Sequence, residues 1–95
     1  MRIVRHPEVP QELEAAAFWY EERQPGLGGD FLEEYQATLG RILDHPERWR
    51  KVRGDNRQLN FQRFPYAIVY SVHADCIYLK AVMHLRRRPF YWQHR

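Results

Sequence analysis

Histidine, arginine and tyrosine side chains cluster near the C-terminus of the chain. His84 is followed by Arg86, Arg87 and Arg88, and Tyr91 comes three residues later. In its neutral form, the imidazole of His84 can accept a proton. A neutral imidazole could activate a ribose 2′-hydroxyl while arginines hold the phosphate, which is the chemistry of RNA cleavage. If the protein is an endoribonuclease, we therefore expect His84, Arg87 and Tyr91 to be its catalytic residues.

A histidine at the end of a strand can equally have a structural role. In that interpretation His84 forms a hydrogen bond to the main chain and has no part in proton transfer. No companion acid for catalysis is evident in the sequence around it. The sequence leaves both interpretations of His84 open.

No metal or cofactor site is predicted. The histidines show no H-x-x-x-H pair, and the single cysteine excludes a C-x-x-C motif. The glycines at 26, 28 and 29 follow a predicted helix rather than a strand, so they indicate a turn and not a phosphate-binding loop. The five histidines are His6, His45, His73, His84 and His94.

Cations and aromatic rings alternate in the C-terminal segment, which ends with Arg86-Arg87-Arg88-Pro89-Phe90-Tyr91-Trp92 and three further residues. This combination suits phosphates and stacked bases, and it equally suits an acidic partner with apolar anchors. For Trp92 we also expect a second role, as a hydrophobic clip that anchors the tail to the core. The predicted residues for binding a partner or target are Arg53, Arg57, Arg63, Arg86, Arg87, Arg88, Tyr91 and Trp92.

The two halves of the chain carry opposite charge. Residues 1–47 have a net charge of −6 and residues 48–95 a net charge of +9, which together give the overall +3. An asymmetry of this kind indicates that one surface meets a polyanion or an acidic partner.

The composition predicts a single domain over residues 1–95. With 44% hydrophobic and 15% aromatic residues, the chain can form a packed core. No apolar run approaches the roughly 20 residues of a membrane helix, and the N-terminus lacks the features of a signal peptide. The lone Cys76 cannot form an internal disulfide. We therefore expect a cytoplasmic protein without a membrane partner.

Two amphipathic helices are predicted in the first half. Pro10 suits the first turn of a helix that runs to about Arg23, and the segment Gln24–Gly29 breaks it. Asp30 and Glu33 resemble a capping box at the start of the second helix. His45-Pro46 ends that helix.

Strands account for most of the remaining sequence. One short strand is predicted over Arg2–His6, a second around Leu59 and Phe61, and a hairpin over Tyr66–Val72 and Ile77–Met83. Phe64-Pro65 marks a corner, and the basic segment Glu47–Asn56 is predicted to be a mobile connection. The predicted fold is α+β, in the order β-α-α-β-β-β, with a helical hairpin packed on one face of a small, mostly antiparallel sheet.

Five segments of the chain carry a resemblance to a known family: Ala17–Glu21, Pro25–Gly28, Phe31–Leu32, Arg63–Tyr70 and Ala81–Trp92. In these segments and their order, the chain resembles the RelE/ParE family of toxins over about residues 12–95. The resemblance implies the same fold, and it implies the toxin of a type II toxin–antitoxin system. Such toxins are cytoplasmic and are held inactive by a cognate antitoxin in a hetero-oligomer.

The resemblance also implies one of two targets. RelE-like members cut messenger RNA on the ribosome, whereas ParE-like members act on DNA gyrase without cutting RNA. At positions where the ribonucleases carry basic residues, this chain has Asn60, Gln62, Ala67 and Leu85, and only Tyr91 matches the tail pattern. A phosphate site without those cations would stabilise the transition state poorly. We therefore expect a ParE-like toxin that binds and poisons gyrase. The alternatives are a ribosome-dependent mRNA endonuclease and a non-toxic remnant that only binds its partner.

Overall fold

The computed structural model describes residues 1–95, which form two helices and one five-stranded sheet. The sheet has the strand order β1-β5-β4-β3-β2, in which β1 runs parallel to β5 and the other neighbours are antiparallel. The predicted α+β fold is confirmed. In chain order the elements are β1 (Arg2–Arg5), α1 (Glu8–Arg23), α2 (Leu27–Asp44), β2 (Lys51–Arg53), β3 (Asn56–Asn60), β4 (Tyr66–Val72) and β5 (Cys76–His84).

One strand lies where the sequence predicts only a connection. Lys51–Arg53 falls inside the segment 47–56 and pairs with β3. The same segment is tied down by Arg57, whose guanidinium donates to the carbonyls of Glu47 and Trp49 at 2.9 and 2.7 Å. The expectation of a connection without secondary structure is therefore wrong. A strand of three residues is too short to show a period-two pattern in the sequence.

Both faces of the sheet are covered. Ile68 and Tyr70 of β4 face the helices and belong to a core of 14 buried side chains. Val69 points the other way, where it packs with Ala81 and Trp92. The alternation of β4 therefore places apolar side chains on both faces, and the C-terminal tail covers part of the face that the helices leave open.

A β-bulge in β5 changes which residues face the helices. Leu79 pairs with Tyr70 of β4, and the next pair joins Ala81 to Val69, so Lys80 is an extra residue. Residues after the bulge face the opposite way from what strict alternation predicts. The last residue of β5 is thereby turned towards the helices.

A carboxylate of α1 caps the start of α2. The Glu21 side chain accepts the backbone N–H of Gly26 at 3.0 and 3.1 Å and that of Gly28 at 3.0 Å. These donors lie at the helix N-terminus, where no carbonyl within the helix can accept them. A Cβ atom at Gly28 would lie 2.6 Å from the carbonyl oxygen of Ala17, so glycine lets the two helices approach closely.

The start of α2 differs from the prediction. The helix begins at Leu27, so Asp30 already lies in its first turn and donates its backbone N–H to the carbonyl of Gly26. The predicted capping box of Asp30 with Glu33 is wrong, because the cap comes from the neighbouring helix instead of from residues at the helix start.

Candidate partner-binding site

β5 ends in a turn that exposes three arginines. Arg86, Arg87 and Arg88 are all exposed to solvent, and the Arg87 N–H donates to the carbonyl of His84 at 2.9 Å. None of the three forms an ion pair with a carboxylate of the protein. The turn therefore presents unneutralised positive charge to solvent.

His84 is bound to the backbone of this turn. Its Nδ1 accepts the N–H of Arg86 at 3.0 Å, and its ring lies edge-on to the ring of Tyr66 at 5.1 Å. The hydrogen bond to the main chain is the contact that one of the two interpretations of the sequence expects, and the role of His84 in proton transfer stays a prediction. A neutral imidazole has one acceptor nitrogen. Since Arg86 occupies that nitrogen, His84 has no free acceptor for a proton from a substrate.

Tyr91 points into the protein. Its hydroxyl donates to Oε2 of Glu12 at 2.6 Å, and the guanidinium carbon of Arg87 lies 4.0 Å from the centre of its ring. Burial raises the pKa of the Tyr91 hydroxyl, and so do the hydrogen bond to Glu12 and the negative charge of that carboxylate. The hydroxyl therefore keeps its proton and directs it at Glu12.

Glu12 and Arg95 bind the backbone of β5 along an edge that no strand covers. The strand β1 pairs only with residues 76–79, so beyond that point the backbone of β5 has a strand on its β4 side and none on the side of β1. Glu12 accepts the Val82 N–H at 3.0 Å, and Arg95 donates to the carbonyl of Lys80 at 3.1 Å. The two side chains also form an ion pair at 3.0 Å. They thus satisfy backbone groups that would otherwise lack partners.

Glu12 is a residue of this site that the sequence alone does not single out. One signal is present, because Glu12 lies three residues after Val9 and four before Ala16, on the same helix face as these two buried side chains. A carboxylate on an apolar stripe indicates a buried partner. Its partners are 70 and 79 residues away, so sequence spacing alone could not name them.

Trp92 is buried against the sheet. Its side chain is 1% exposed and packs with Val69 and Ala81 on the face opposite the helices. The predicted role as a hydrophobic clip is confirmed. Its contact with a partner stays a prediction, since in this conformation the ring is enclosed by side chains of the protein itself.

The other predicted cations are Arg53, Arg57 and Arg63, and they lie in different places. Arg53 contacts the C-terminal tail, since its guanidinium carbon lies 3.8 Å from the centre of the Phe90 ring and its guanidinium donates to Gln93 at 2.8 Å. Arg57 is opposite Tyr70 in the sheet and therefore lies on the helix-covered face. Arg63 lies at the corner after β3.

Arg63 is held by α2. Its guanidinium lies 3.7 Å from Asp30, and its backbone N–H donates to Glu34 at 3.2 Å. The second oxygen of Glu34 accepts the N–H of Gln62, also at 3.2 Å. The structure therefore uses Arg63 at the corner and does not bring it to the arginine turn.

A groove of about 790 Å³ runs between α1 and the ends of β4 and β5. His84 and Arg87 line it, and so do Arg95 and the carboxylates of Glu8 and Glu12. The mixture of charges does not suit a run of phosphates, because the acidic helix forms one wall. The aromatic residues of the lining are Trp19, Tyr20 and Tyr66.

No cluster of three or more histidine, cysteine, aspartate or glutamate side chains is arranged to hold a metal ion. Neither helix combines the length and apolar character that crossing a membrane requires.

The fold and the site define a small α+β protein with a cationic C-terminal turn. Residues 3–89 match the family described as the ParE toxin of the type II toxin–antitoxin system parDE. The chain therefore belongs to the ParE toxin family and is the toxin of such a system. The predicted membership of the RelE/ParE family and the preference for its ParE-like branch are confirmed.

A solved structure agrees with the fold. The structure described as the chromosomal ParDE TA system from P. aeruginosa superposes with a TM-score of 0.66. The two chains are 16% identical, and the similarity covers 88% of this chain and 95% of the other. At this identity the similarity supports the fold alone. No curated protein matches the sequence.

Proposed function

We propose that this ParE-type toxin inhibits growth by binding and poisoning DNA gyrase, and that it does so without cutting RNA. The observation that carries the proposal is that His84 and Tyr91, the two groups that could transfer a proton, form hydrogen bonds within the protein. The acceptor nitrogen of His84 binds the Arg86 N–H, and the Tyr91 hydroxyl binds Glu12. Proton transfer with a substrate would require both hydrogen bonds to break.

The side chains around the sheet support a binding role as well. By resemblance, the ribonucleases of the wider family carry cations where this chain has Asn60, Gln62, Ala67 and Leu85. Ala67 is fully buried, so no charge is available at that position. Cleavage of RNA places extra negative charge on the phosphate in the transition state. Without cations at these positions, the transition state of RNA cleavage would be poorly stabilised.

The proposal includes a cognate antitoxin. The net charge of +9 over residues 48–95 and the exposed arginine turn suit a partner with acidic and apolar residues. Such a partner, bound in a toxin–antitoxin hetero-oligomer in the cytoplasm, would cover the surface that contacts gyrase. A neighbouring short reading frame that encodes a small acidic protein would support this part of the proposal.

Inhibition of gyrase supercoiling by the purified toxin tests the proposal. We expect inhibition or trapped cleaved DNA, and we expect the double substitution Arg86→Glu and Arg88→Glu to weaken the effect at least about tenfold. The double substitution Arg23→Glu and Arg48→Glu, at two exposed cations outside the turn, is the charge-matched control and should behave as the unmodified toxin. Normal supercoiling at a large excess of toxin would reject gyrase as the target.

A ribosome-dependent mRNA endonuclease is the second candidate, because Arg87 lies 4.0 Å from the Tyr91 ring and shares a groove with His84. Under this candidate, primer extension after induction shows cuts within codons that disappear in His84→Ala. Growth arrest with intact messages excludes it. Induction with no growth arrest at all would indicate a remnant that only binds its partner.

A further inference from the structure

The three arginines of the exposed turn differ in how their side chains are held. The guanidinium carbon of Arg87 lies 4.0 Å from the centre of the Tyr91 ring. Arg86 and Arg88 lie over no aromatic ring of the protein. A guanidinium that stacks on a ring keeps fewer orientations than one that is free in water. Arg87 is therefore the arginine of the turn that the fold orients.

The ring under Arg87 is itself fixed. The Tyr91 hydroxyl donates to Oε2 of Glu12 at 2.6 Å, and Oε1 of Glu12 accepts the backbone N–H of Val82 at 3.0 Å. Arg95 holds the same Oε1 by an ion pair at 3.0 Å. Because Glu12 is bound to the backbone of β5, the Tyr91 ring has a rigid support in the sheet.

The N–H groups of the Arg87 side chain remain available. Arg87 is exposed to solvent and forms no ion pair with a carboxylate of the protein. Stacking engages the flat face of a guanidinium and leaves its edge, which carries the N–H donors, free for an acceptor. Arg87 thus combines a fixed position with donors that a target can reach.

We propose that Glu12 and Tyr91 are positioning residues for Arg87, and that target binding depends on Arg87 more than on Arg86 or Arg88. The physical reason is conformational entropy. A free arginine side chain loses rotamer freedom when a target fixes it, whereas Arg87 has lost much of that freedom on folding. This inference rests on the proposed binding of gyrase through the arginine turn, and it names the residues that decide that binding.

Single alanine variants test the ranking of the three arginines by inhibition of gyrase supercoiling. We expect Arg87→Ala to weaken inhibition about thirtyfold, as for a central arginine of an interface. Arg86→Ala and Arg88→Ala should each weaken it about threefold, because they remove a flexible exposed charge. Arg48→Ala, an exposed cation outside the turn, is the control and should not change inhibition. Equal losses for the three turn variants would overturn the proposal.

Double-mutant cycles test whether Tyr91 acts through Arg87. Tyr91→Leu alone should weaken inhibition about tenfold, since it removes the ring. Added to Arg87→Ala it should cause no further loss, whereas added to Arg86→Ala the two losses should multiply. Multiplication in both cycles would show that Tyr91 only stabilises the fold, and it would overturn the proposal.

Tyr91→Phe is the milder variant for the same cycles. It keeps the ring under Arg87 and removes the hydrogen bond to Glu12, so it preserves most of the packing of the tail. We expect a loss of about threefold that appears only while Arg87 is present. The cycle can therefore be completed even where Tyr91→Leu does not fold.

Arg87→Lys separates position from charge. Lysine keeps the positive charge but lacks the planar guanidinium that stacks on Tyr91. We expect inhibition by Arg87→Lys to stay about tenfold weaker than that of the unmodified toxin. Full activity of the lysine variant would show that charge alone matters and would overturn the proposal.

Nuclear magnetic resonance tests the positioning without gyrase. In the unmodified toxin the Arg87 Nε–H should be ordered, and the Cδ protons of Arg87 should be shifted by the Tyr91 ring. Both signs should disappear in Tyr91→Leu, while the side chain of Arg86 should be mobile in both proteins. A mobile Arg87 side chain in the unmodified toxin would overturn the proposal.

Growth arrest after induction separates this proposal from the choice of gyrase as the target. Normal supercoiling with the unmodified toxin rejects gyrase alone, provided that growth arrest still depends on Arg87 more than on Arg86 or Arg88. Gyrase inhibition with equal losses for the three turn variants rejects the positioning proposal alone.

Discussion

Glu12 and Arg95 form an ion pair at 3.0 Å that takes the place of a neighbouring strand along β5. Glu12 comes from the acidic helix and Arg95 is the last residue of the basic half. The pair accepts and donates the backbone hydrogen bonds of Val82 and Lys80, and Glu12 holds the hydroxyl of Tyr91 as well. The opposite charges of the two halves thus serve the fold in part and are not all available to partners.

Removal of the Glu12 carboxylate should destabilise the protein. Glu12→Ala leaves the guanidinium of Arg95 without its carboxylate, and it leaves the hydroxyl of Tyr91 and the N–H of Val82 without their acceptor. The side chains of Glu12 and Arg95 are only 12% and 14% exposed. We expect a loss of about 2–4 kcal/mol in the free energy of unfolding, measured with urea. Glu14→Ala, exposed on the same helix, should change it by less than about 0.5 kcal/mol. Equal losses of unfolding free energy in the two variants would show that the hydrogen bonds of Glu12 do not stabilise the protein.

A second buried carboxylate holds the corner before β4. Glu34 is 8% exposed and accepts the backbone N–H groups of Gln62 and Arg63, one on each oxygen. Glu34→Gln replaces one acceptor with a donor that faces an N–H group. We expect unfolding free energy to fall by about 1–3 kcal/mol. The neighbouring Glu33 is exposed, so Glu33→Gln should be silent in the same denaturation experiment, and a matching loss there would contradict the assigned role of Glu34.

Local patterns in the sequence predict most of the fold. The strands β4 and β5, the corner at Phe64-Pro65 and the two helices follow from alternation, helical spacing and proline, which are local properties. The strand β2 and the bulge at Lys80 could not be predicted, because three residues show no period and a bulge depends on the pairing of two strands.

The candidate site is less predictable than the fold. Local chemistry places Arg86–Arg88 in one exposed turn, as the sequence indicates. The sequence also predicts that Trp92 packs on the core, but the capture of Tyr91 by Glu12 depends on how the tail crosses the sheet. Nothing in the order of residues 86–95 fixes that path. Residues that bind through long-range contacts therefore require the structure for their assignment.

The helix α2 should respond differently to alanine at two of its glycines, Gly28 and Gly40. At Gly28 the added Cβ would lie 2.6 Å from the backbone oxygen of Ala17, so Gly28→Ala must push the helices apart. We expect a loss of about 1–3 kcal/mol. At Gly40 a Cβ meets nothing within 4 Å, and Gly40→Ala should stabilise the protein by about 0.5–1 kcal/mol through helix propensity. Thermal unfolding measures both, and equal signs would contradict the close contact at Gly28.

Tyr70 should make the protein sensitive to alkaline pH. The residue is fully buried and its hydroxyl donates to the carbonyl of Pro46 at 2.6 Å. Burial raises the pKa of Tyr70 to about 12, although the nearby charge of Arg57 opposes the shift. Below a pH of about 10 the hydroxyl is protonated in both the folded and the unfolded chain, so Tyr70 adds no pH dependence there.

Above a pH of about 10 the unfolded chain releases this proton while the folded protein keeps it, so stability falls as the pH rises towards 12. Tyr70→Phe loses the hydrogen bond and should be less stable near pH 8 by about 1 kcal/mol. Its unfolding free energy should then decline less steeply between about pH 10 and pH 11.5 than that of the unmodified protein. Urea denaturation across this range measures both slopes, and parallel slopes would mean that Tyr70 ionises in the folded state as readily as in the unfolded chain.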